Sequence, residues 1–263
     1  MPPPSLRPVV LVTGAARRIG RAIAVELAHG GFDLALHYRH SAEEAEASAA
    51  YVRALGARAE CFAADLADEA SCRALLPAVV ARLGRIDAVV NNASHFAYDN
   101  AESFSYAAMQ AHWRANTAPA IVLAQALAAH LKRGSPTENS RGCVVNLLDQ
   151  KLWNPNPDYL SYTLSKAALE MATRVLAQAL APQVRVAAVA PGVTLVSGPA
   201  MSDANFAQAH AMTPLGRSST PDDVARTVRF IIESPAITGT TIVVDGGQHL
   251  AQQARDVAFL SPN

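Results

Sequence analysis

Much that would tie a chain to a polyanion, a membrane or an oxidising compartment is missing from these 263 residues. Net charge is absent: 22 lysines and arginines balance 22 aspartates and glutamates, so bulk charge exerts no pull on nucleic acid or on an anionic membrane surface. Long apolar runs are absent as well, none approaching the roughly 18 residues of a membrane span. The opening 1–7 is a proline-rich arm without the apolar core of a secretory signal. Cysteine is scarce. Cys61, Cys72 and Cys143 are odd in number, lack metal-ligand spacing and stand in apolar or helical contexts. Free thiols, no metal and a reducing, cytoplasmic setting are therefore expected. There is no internal repeat. What is plentiful is apolar side chain, 51% of the chain, enough for one large core in a single domain.

That apolar content alternates between strand-like and helix-like patterns, which predicts a doubly wound, parallel, seven-stranded sheet of Rossmann type. Val9–Val12 is a short β-branched run ending at Thr13-Gly14-Ala15-Ala16-Arg17-Arg18-Ile19-Gly20. A helical stripe of Ile23, Ala24, Leu27 and Ala28 follows, stopped by Gly30-Gly31. Strand, glycine-bearing turn and helix in that order suit a dinucleotide. Glycine lets the backbone approach closely, and the helix N-terminus offers N–H groups to a phosphate. The second strand, 32–38, runs into His37-Tyr38-Arg39-His40-Ser41. An NAD site would carry an acid there for the ribose hydroxyls. Arg39 and Ser41 instead offer a cation and a hydroxyl and, with Arg17, favour a 2′-phosphate and hence NADPH. A solvated turn arginine is the competing reading.

Further helices are expected at 43–55, from a cap at Asp68 or Ser71 to Leu83, at 106–132 with Asn116 inside, through Tyr162 to Leu180, and at 221–232 with Thr220 as N-cap. Further strands are expected at 57–62, 86–90, 143–148, 184–190 and 241–245. The segment 133–142 reads as a polar loop. The segment 193–215, with Gly198, Pro199 and Pro214, reads as a substrate lid containing a short helix. The tail after Leu250 has no assignment.

Chemistry concentrates between Asp149 and Lys166. Tyr162 and Lys166 stand four apart, one helical turn, on one face. A phenol ionises at a pKa of roughly 10, and a neighbouring ammonium favours the phenolate, so the pair can exchange a proton near neutrality. Asp149 follows the apolar run 143–148, where the carboxyl end of a strand delivers a side chain into a site. Alone, Tyr-x-x-x-Lys is also a common surface pair.

The order of these motifs resembles the short-chain dehydrogenase/reductase family over 9–247. The glycine turn corresponds to Thr13-Gly14 through Gly20, and the Asn-Asn-Ala-Gly motif to Asn91-Asn92-Ala93-Ser94. The helix asparagine corresponds to Asn116, Tyr-x-x-x-Lys to Tyr162 and Lys166, and Pro-Gly to Pro191-Gly192. The resemblance implies that Tyr162 donates the proton, that Lys166 holds the nicotinamide ribose and lowers the tyrosine pKa, and that Asn116 supports a water relay. It implies cofactor contacts from Gly14, Arg17, Arg18, Ile19 and Gly20 of the turn and from His37, Tyr38, Arg39 and Ser41 of the second-strand end. Asp65, Leu66, Asn92, Ala93 and Ser94 follow the third and fourth strands, and Pro191, Gly192 and Thr194 the sixth. It also implies a homotetramer.

Three positions depart from the family pattern: Arg18 replaces the middle glycine, Ser94 the last residue of Asn-Asn-Ala-Gly, and Asp149 the serine thirteen residues before the tyrosine. Together they resemble the pteridine reductase branch, which also has an aromatic where Phe96 stands. Phe96 can stack on a flat pterin, with the nicotinamide on its other face. Arg18 can bond pterin acceptors or a cofactor phosphate. Asp149 can serve ring nitrogens or relay a proton. Ser94 joins these substrate contacts, with Tyr162, and Trp153 is expected at the pocket rim. The expected function is NADPH-dependent reduction of a pterin or dihydropterin, of dihydrobiopterin, dihydromonapterin or dihydrofolate type. Plainer readings stay open: Phe96 as core, Arg18 as a cap or ion pair, Asp149 as a structural acid, Trp153 as packing. An ordinary carbonyl reductase and a non-catalytic NADPH-binding regulator are the alternative functions. His95 reads as solvated, and Gln150 and Lys151 have no assignment.

Overall fold

The computed structural model describes residues 7–133, 141–197 and 201–259. Most of the amino-terminal arm, most of the loop 133–142, the lid residues Gly198 and Pro199, and the last four residues of the tail lie outside the described residues.

Seven strands form one sheet: β1 (Val9–Val12), β2 (Asp33–Tyr38), β3 (Ala59–Ala63), β4 (Ala88–Asn91), β5 (Gly142–Leu147), β6 (Val184–Pro191) and β7 (Thr241–Val244). All six pairings are parallel, in the order β3-β2-β1-β4-β5-β6-β7. The central strands read as unbroken apolar runs because both faces are covered. β1 shows this residue by residue. Val10 and Val12 join one core with Ile23 and Leu27 of α1 (Arg18–His29) and Val224 and Val228 of α8 (Pro221–Glu233). Val9 and Leu11 face the opposite core, with Leu75 and Val79 of α3 (Glu69–Leu83) and Leu123 and Leu127 of α5 (Ala118–Arg133). Alternate side chains therefore serve two helical layers.

Local capping sets the helix starts. Asp68 accepts the Ser71 amide at 2.8 Å and begins α3. Thr220 and Asp223 form a reciprocal capping box at α8, with Pro221 in the first turn. α2 (Ala42–Ala54) follows β2, and α4 (Tyr106–His112) precedes α5. The long helix α6 (Leu160–Leu180) is capped from a distance. Asp99 accepts the Ser161 amide at 2.9 Å and also the Ser161 hydroxyl, so the loop after β4 is pinned to the start of this helix.

Two expectations need correction. The third strand lies at Ala59–Ala63, later than 57–62. The single helix expected over 106–132 is interrupted: α4 ends at His112, a π-helical turn spans Trp113–Thr117, and α5 continues from Ala118. Within 193–215, the short helix is α7 (Asp203–Ala211).

Candidate active site

The carboxyl ends of the strands converge on one cavity of about 640 Å³. It lies where strand order reverses between β1 and β4, the usual ligand crevice of an open parallel sheet. Arg17, Arg18 and Ile19 after β1, Asn92 and Ser94 after β4, Leu147–Asp149 after β5, and Pro191–Thr194 after β6 line it.

The glycine turn is built for close approach. Gly14 holds φ +64°, and a methyl on Gly20 would stand 2.2 Å from the Gly14 carbonyl oxygen. The Asn92 amide donates to the Thr13 and Gly14 carbonyls at 2.8 and 3.2 Å, and the Thr13 hydroxyl accepts the Asn92 and Ala93 N–H groups. α1 begins at Arg18 with no side-chain cap bond and no acid in its first turn. Its leading N–H groups therefore face the cavity mouth without a competing anion, which fits a dinucleotide phosphate. Arg18 is in the left-handed region at φ +56°. Its guanidinium donates to the Val196 carbonyl (2.9 Å) and the Ser197 hydroxyl (2.6 Å), bridging turn and lid.

At the second-strand end the expected contacts divide. His37 is buried: Nδ1 accepts the Gly14 amide at 3.1 Å and Nε2 pairs with the Ala64 carbonyl at 3.1 Å. Burial lowers its pKa, so the neutral ring braces the turn from beneath. Tyr38 ends β2, and its carbonyl accepts the Ala64 amide. Arg39 is exposed and pairs with Asp65 at 3.0 Å. Asp65 also accepts the Ala67 amide, shaping the turn that carries Leu66. Ser41 stands at the start of α2 without a side-chain cap bond. Thr194 is buried, its hydroxyl on the Gly192 carbonyl and the Ser219 hydroxyl.

The chemical centre joins β5 to α6. The Tyr162 hydroxyl donates to Asp149 Oδ2 at 2.8 Å, and Asp149 Oδ1 accepts the Lys151 amide at 2.9 Å. Lys166 Nζ donates to the Leu147 carbonyl at 2.7 Å. Burial raises the Asp149 pKa, opposed by the Lys151 amide, the Tyr162 hydroxyl and the Lys151 charge, and aided by the Asp256 charge. Burial also lowers Lys166 to about 8. Tyr162 reverses the expected direction. Burial first, then the Asp149 carboxylate, push its pKa well above the ordinary phenol value, and the ammonium that was to lower it is aimed at a carbonyl. The tyrosine is held protonated.

Asn116 lies in the π-helical turn. Its Oδ1 accepts the His95 amide (2.6 Å) and the Ser94 hydroxyl (3.2 Å), while Nδ2 donates to the His95 carbonyl (3.0 Å) and the Ser165 hydroxyl (2.9 Å). Ser165 bonds back to the Tyr162 carbonyl at 2.7 Å. This one side chain therefore ties the Phe96 loop to the helical turn holding Tyr162 and Lys166. Phe96 stacks on Tyr159 at 4.2 Å, meets the Tyr162 ring edge-on at 4.7 Å, and remains 39% exposed. Trp153, expected at the rim, is exposed and absent from the lining, because the 3-10 turn Gln150–Leu152 carries it past the cavity. That turn instead places Gln150 and Lys151 in the wall, joined by Tyr159, Gln253 and Asp256. Sequence reading missed all five. The available signal was a lysine two residues after the acid; its burial is visible only in the fold.

A strand–turn–helix nucleotide cradle with an Asp–Tyr–Lys cluster at the switch point defines a nucleotide-dependent oxidoreductase of the doubly wound class. A family model described as Enoyl-(Acyl carrier protein) reductase matches residues 14–249. The 3-oxoacyl-[acyl-carrier-protein] reductase FabG of Staphylococcus aureus is 33% identical, the match covering 91% of this chain and 97% of the relative. Among solved structures, FolM alternative dihydrofolate reductase 1 from Brucella suis in complex with NADP superposes with a TM-score of 0.87. It is 41% identical, covering 95% of this chain and 98% of that one. The Brucella canis counterpart, complexed with NADP, gives 0.85 at the same 41% identity, covering 95% of this chain and 98% of that one. The chain belongs to the short-chain dehydrogenase/reductase family, and its likeness to the FolM structures bears out the branch read from Arg18, Ser94 and Asp149.

Proposed function

We propose that this chain is an NADPH-dependent reductase of a pterin or dihydropterin. The single observation that carries the reading is the 2.8 Å bond between Tyr162 and Asp149, an acid where a carbonyl reductase would use serine, in a cavity also lined by Phe96. The NADP-bound FolM structures support both coenzyme and substrate class. NADPH would lie along Gly14–Gly20, with Arg39 and Ser41 toward the 2′-phosphate, Asn92 and Ala93 along the middle, and Lys166 and Pro191–Thr194 at the nicotinamide end; bound, it supplies the hydride. The protein's part is proton delivery. As the carbon of a ring C=N bond gains hydride, its nitrogen takes the proton of Tyr162 or of neutral Asp149, giving CH–NH. Phe96 orients the ring by its open face, and Asn116 keeps the Phe96 loop in register with Tyr162.

The deciding experiment is anaerobic NADPH oxidation with dihydrobiopterin, dihydromonapterin and dihydrofolate beside ketones, quinones and ketoacyl thioesters. The FabG likeness favours a carbonyl substrate as the second reading. Turnover confined to carbonyl compounds would establish it in place of the first.

Three expectations follow from the geometry. Arg39→Ala should weaken NADPH binding about tenfold and leave NADH unchanged, because only NADPH presents the 2′-phosphate. Equal losses in fluorescence titrations would remove Arg39 from coenzyme choice. Turnover should fall as pH rises through the raised Asp149 pKa, since ionisation removes the acid, and again near the Lys166 value of about 8. Asp149→Ser should abolish the first limb and keep the second. A flat profile from acid to neutral pH, with chemistry rate-limiting, would exclude Asp149 as the acid. Leu164, Met171 and Val175 form an exposed apolar stripe on α6, 46%, 54% and 54% accessible, which supports the homotetramer reading. A monomer in sedimentation at micromolar concentration would refute it. Cys61, Cys72 and Cys143 are free, with thiols pushed up to about 11 by burial, which suits a cytoplasmic enzyme without thiol chemistry.

A further inference from the structure

The carboxy-terminal segment beyond Leu250 returns over the cavity of its own chain. Asp158 receives the Arg255 guanidinium twice at 2.8 Å and the Asp256 amide at 2.8 Å. The Asn205 amide of α7 donates to the Ala258 carbonyl at 3.3 Å, and the Phe259 ring packs against Tyr98 at 5.2 Å. Latched in this way, the segment delivers Asp256 to the wall beside Asp149.

The neighbour of that carboxylate is unusual. The Lys151 side chain is only 4% accessible, and its ammonium is engaged by Asp256 at 2.9 Å and by Asn156. Lys151 is also the residue whose amide holds Asp149. A buried ammonium two residues from a buried acid would ordinarily pair with it and keep it ionised, since the alternative is an unpaired charge in a poorly solvated wall. Here the pairing is made 105 residues away, with the tail.

We propose that Asp256 is a positioning residue for the acid–base pair: by engaging Lys151 it keeps that ammonium away from Asp149 and leaves Asp149 free to carry a proton to substrate. The inference rests on the reading of Asp149 as an acid, and it assigns the tail a part in the chemistry. The charged and titratable groups facing Asp149 are the Tyr162 hydroxyl and Lys166 ammonium from α6, Lys151 from its own turn and Asp256 from the tail. Among these, Lys151 and Asp256 act with opposite signs. Removing Asp256 frees a positive charge beside Asp149 and favours its ionised form. Removing Lys151 leaves a negative charge and favours the neutral form.

The test follows the Asp149 carboxyl by NMR of ¹³C-aspartate-labelled, ligand-free protein, its resonance assigned by loss in Asp149→Asn. Asp256→Asn should move the Asp149 titration midpoint down by roughly half a unit to one unit, and Lys151→Met should move it up by roughly half a unit. Asp256→Glu should stay near the native midpoint. A general loosening of the tail moves both substitutions the same way. An unmoved or raised midpoint in Asp256→Asn, or an unmoved or lowered one in Lys151→Met, overturns the inference. Because the readout needs neither NADPH nor a pterin, opposite shifts in a protein that turns over no pterin would defeat the functional reading alone.

Discussion

Tyr162→Phe should lose about 10²- to 10⁴-fold in kcat, the range for removing a positioned general acid, while NADPH affinity stays close to native. The substitution deletes one hydroxyl and keeps the ring that meets Phe96 edge-on, so the cavity wall is preserved. Its effect on Asp149 has a definite sign. The tyrosine hydrogen bond favours the carboxylate form, so losing it raises the Asp149 pKa further and favours the neutral acid. The variant therefore separates the two donors. If Asp149 alone delivers the proton, kcat at acid pH survives; if the proton passes through the phenol, kcat collapses there as well. Single-turnover oxidation of bound NADPH is the measurement. A variant that keeps full biological activity after losing turnover would instead favour the non-catalytic regulator.

The sheet and its flanking helices were legible in the sequence because buried parallel strands and amphipathic helices leave strong periodic signals. β1, β4 and β5 are nearly continuous apolar runs, and each βα turn begins where such a run stops. Asp149, Tyr162 and Lys166 were legible for the same reason, since a strand end and one helical turn fix where they project. Contacts that cross the chain left no such trace. The pairing of Lys151 with Asp256, and the capping of α6 by Asp99, join elements whose neighbourhood only the fold creates. The π-helical turn at Trp113–Thr117 is invisible to an apolar stripe, because widening one turn displaces the pattern by less than the stripe is broad. The direction of the Tyr162 shift was misread because spacing placed Lys166 on the correct face but could not aim its ammonium at the Leu147 carbonyl or show the burial around the phenol.

Gly20→Ala should be the most damaging single-methyl change in the nucleotide cradle, costing roughly 10²-fold in kcat/KM at subsaturating NADPH. The added carbon would sit 2.2 Å from the Gly14 carbonyl oxygen and 2.7 Å from the Asn92 amide nitrogen, inside van der Waals contact with both. The backbone oxygen cannot move alone. Gly14 is fixed by the hydrogen bond that its N–H donates to His37 Nδ1, and Asn92 by those it donates to the Thr13 and Gly14 carbonyls, so relief requires the turn to open away from α1. Opening carries the leading N–H groups of α1 out of line with the phosphates and disturbs the bridge from Arg18 to Val196 and Ser197. Overpacking of this kind also lowers stability, by about 1–3 kcal/mol, so a urea midpoint should fall together with NADPH affinity. The Tyr162–Asp149 bond joins the turn after β5 to α6, beyond the displaced turn. At saturating NADPH most of kcat should therefore return, and a kcat that stays depressed would mean that the glycine turn also positions the acid.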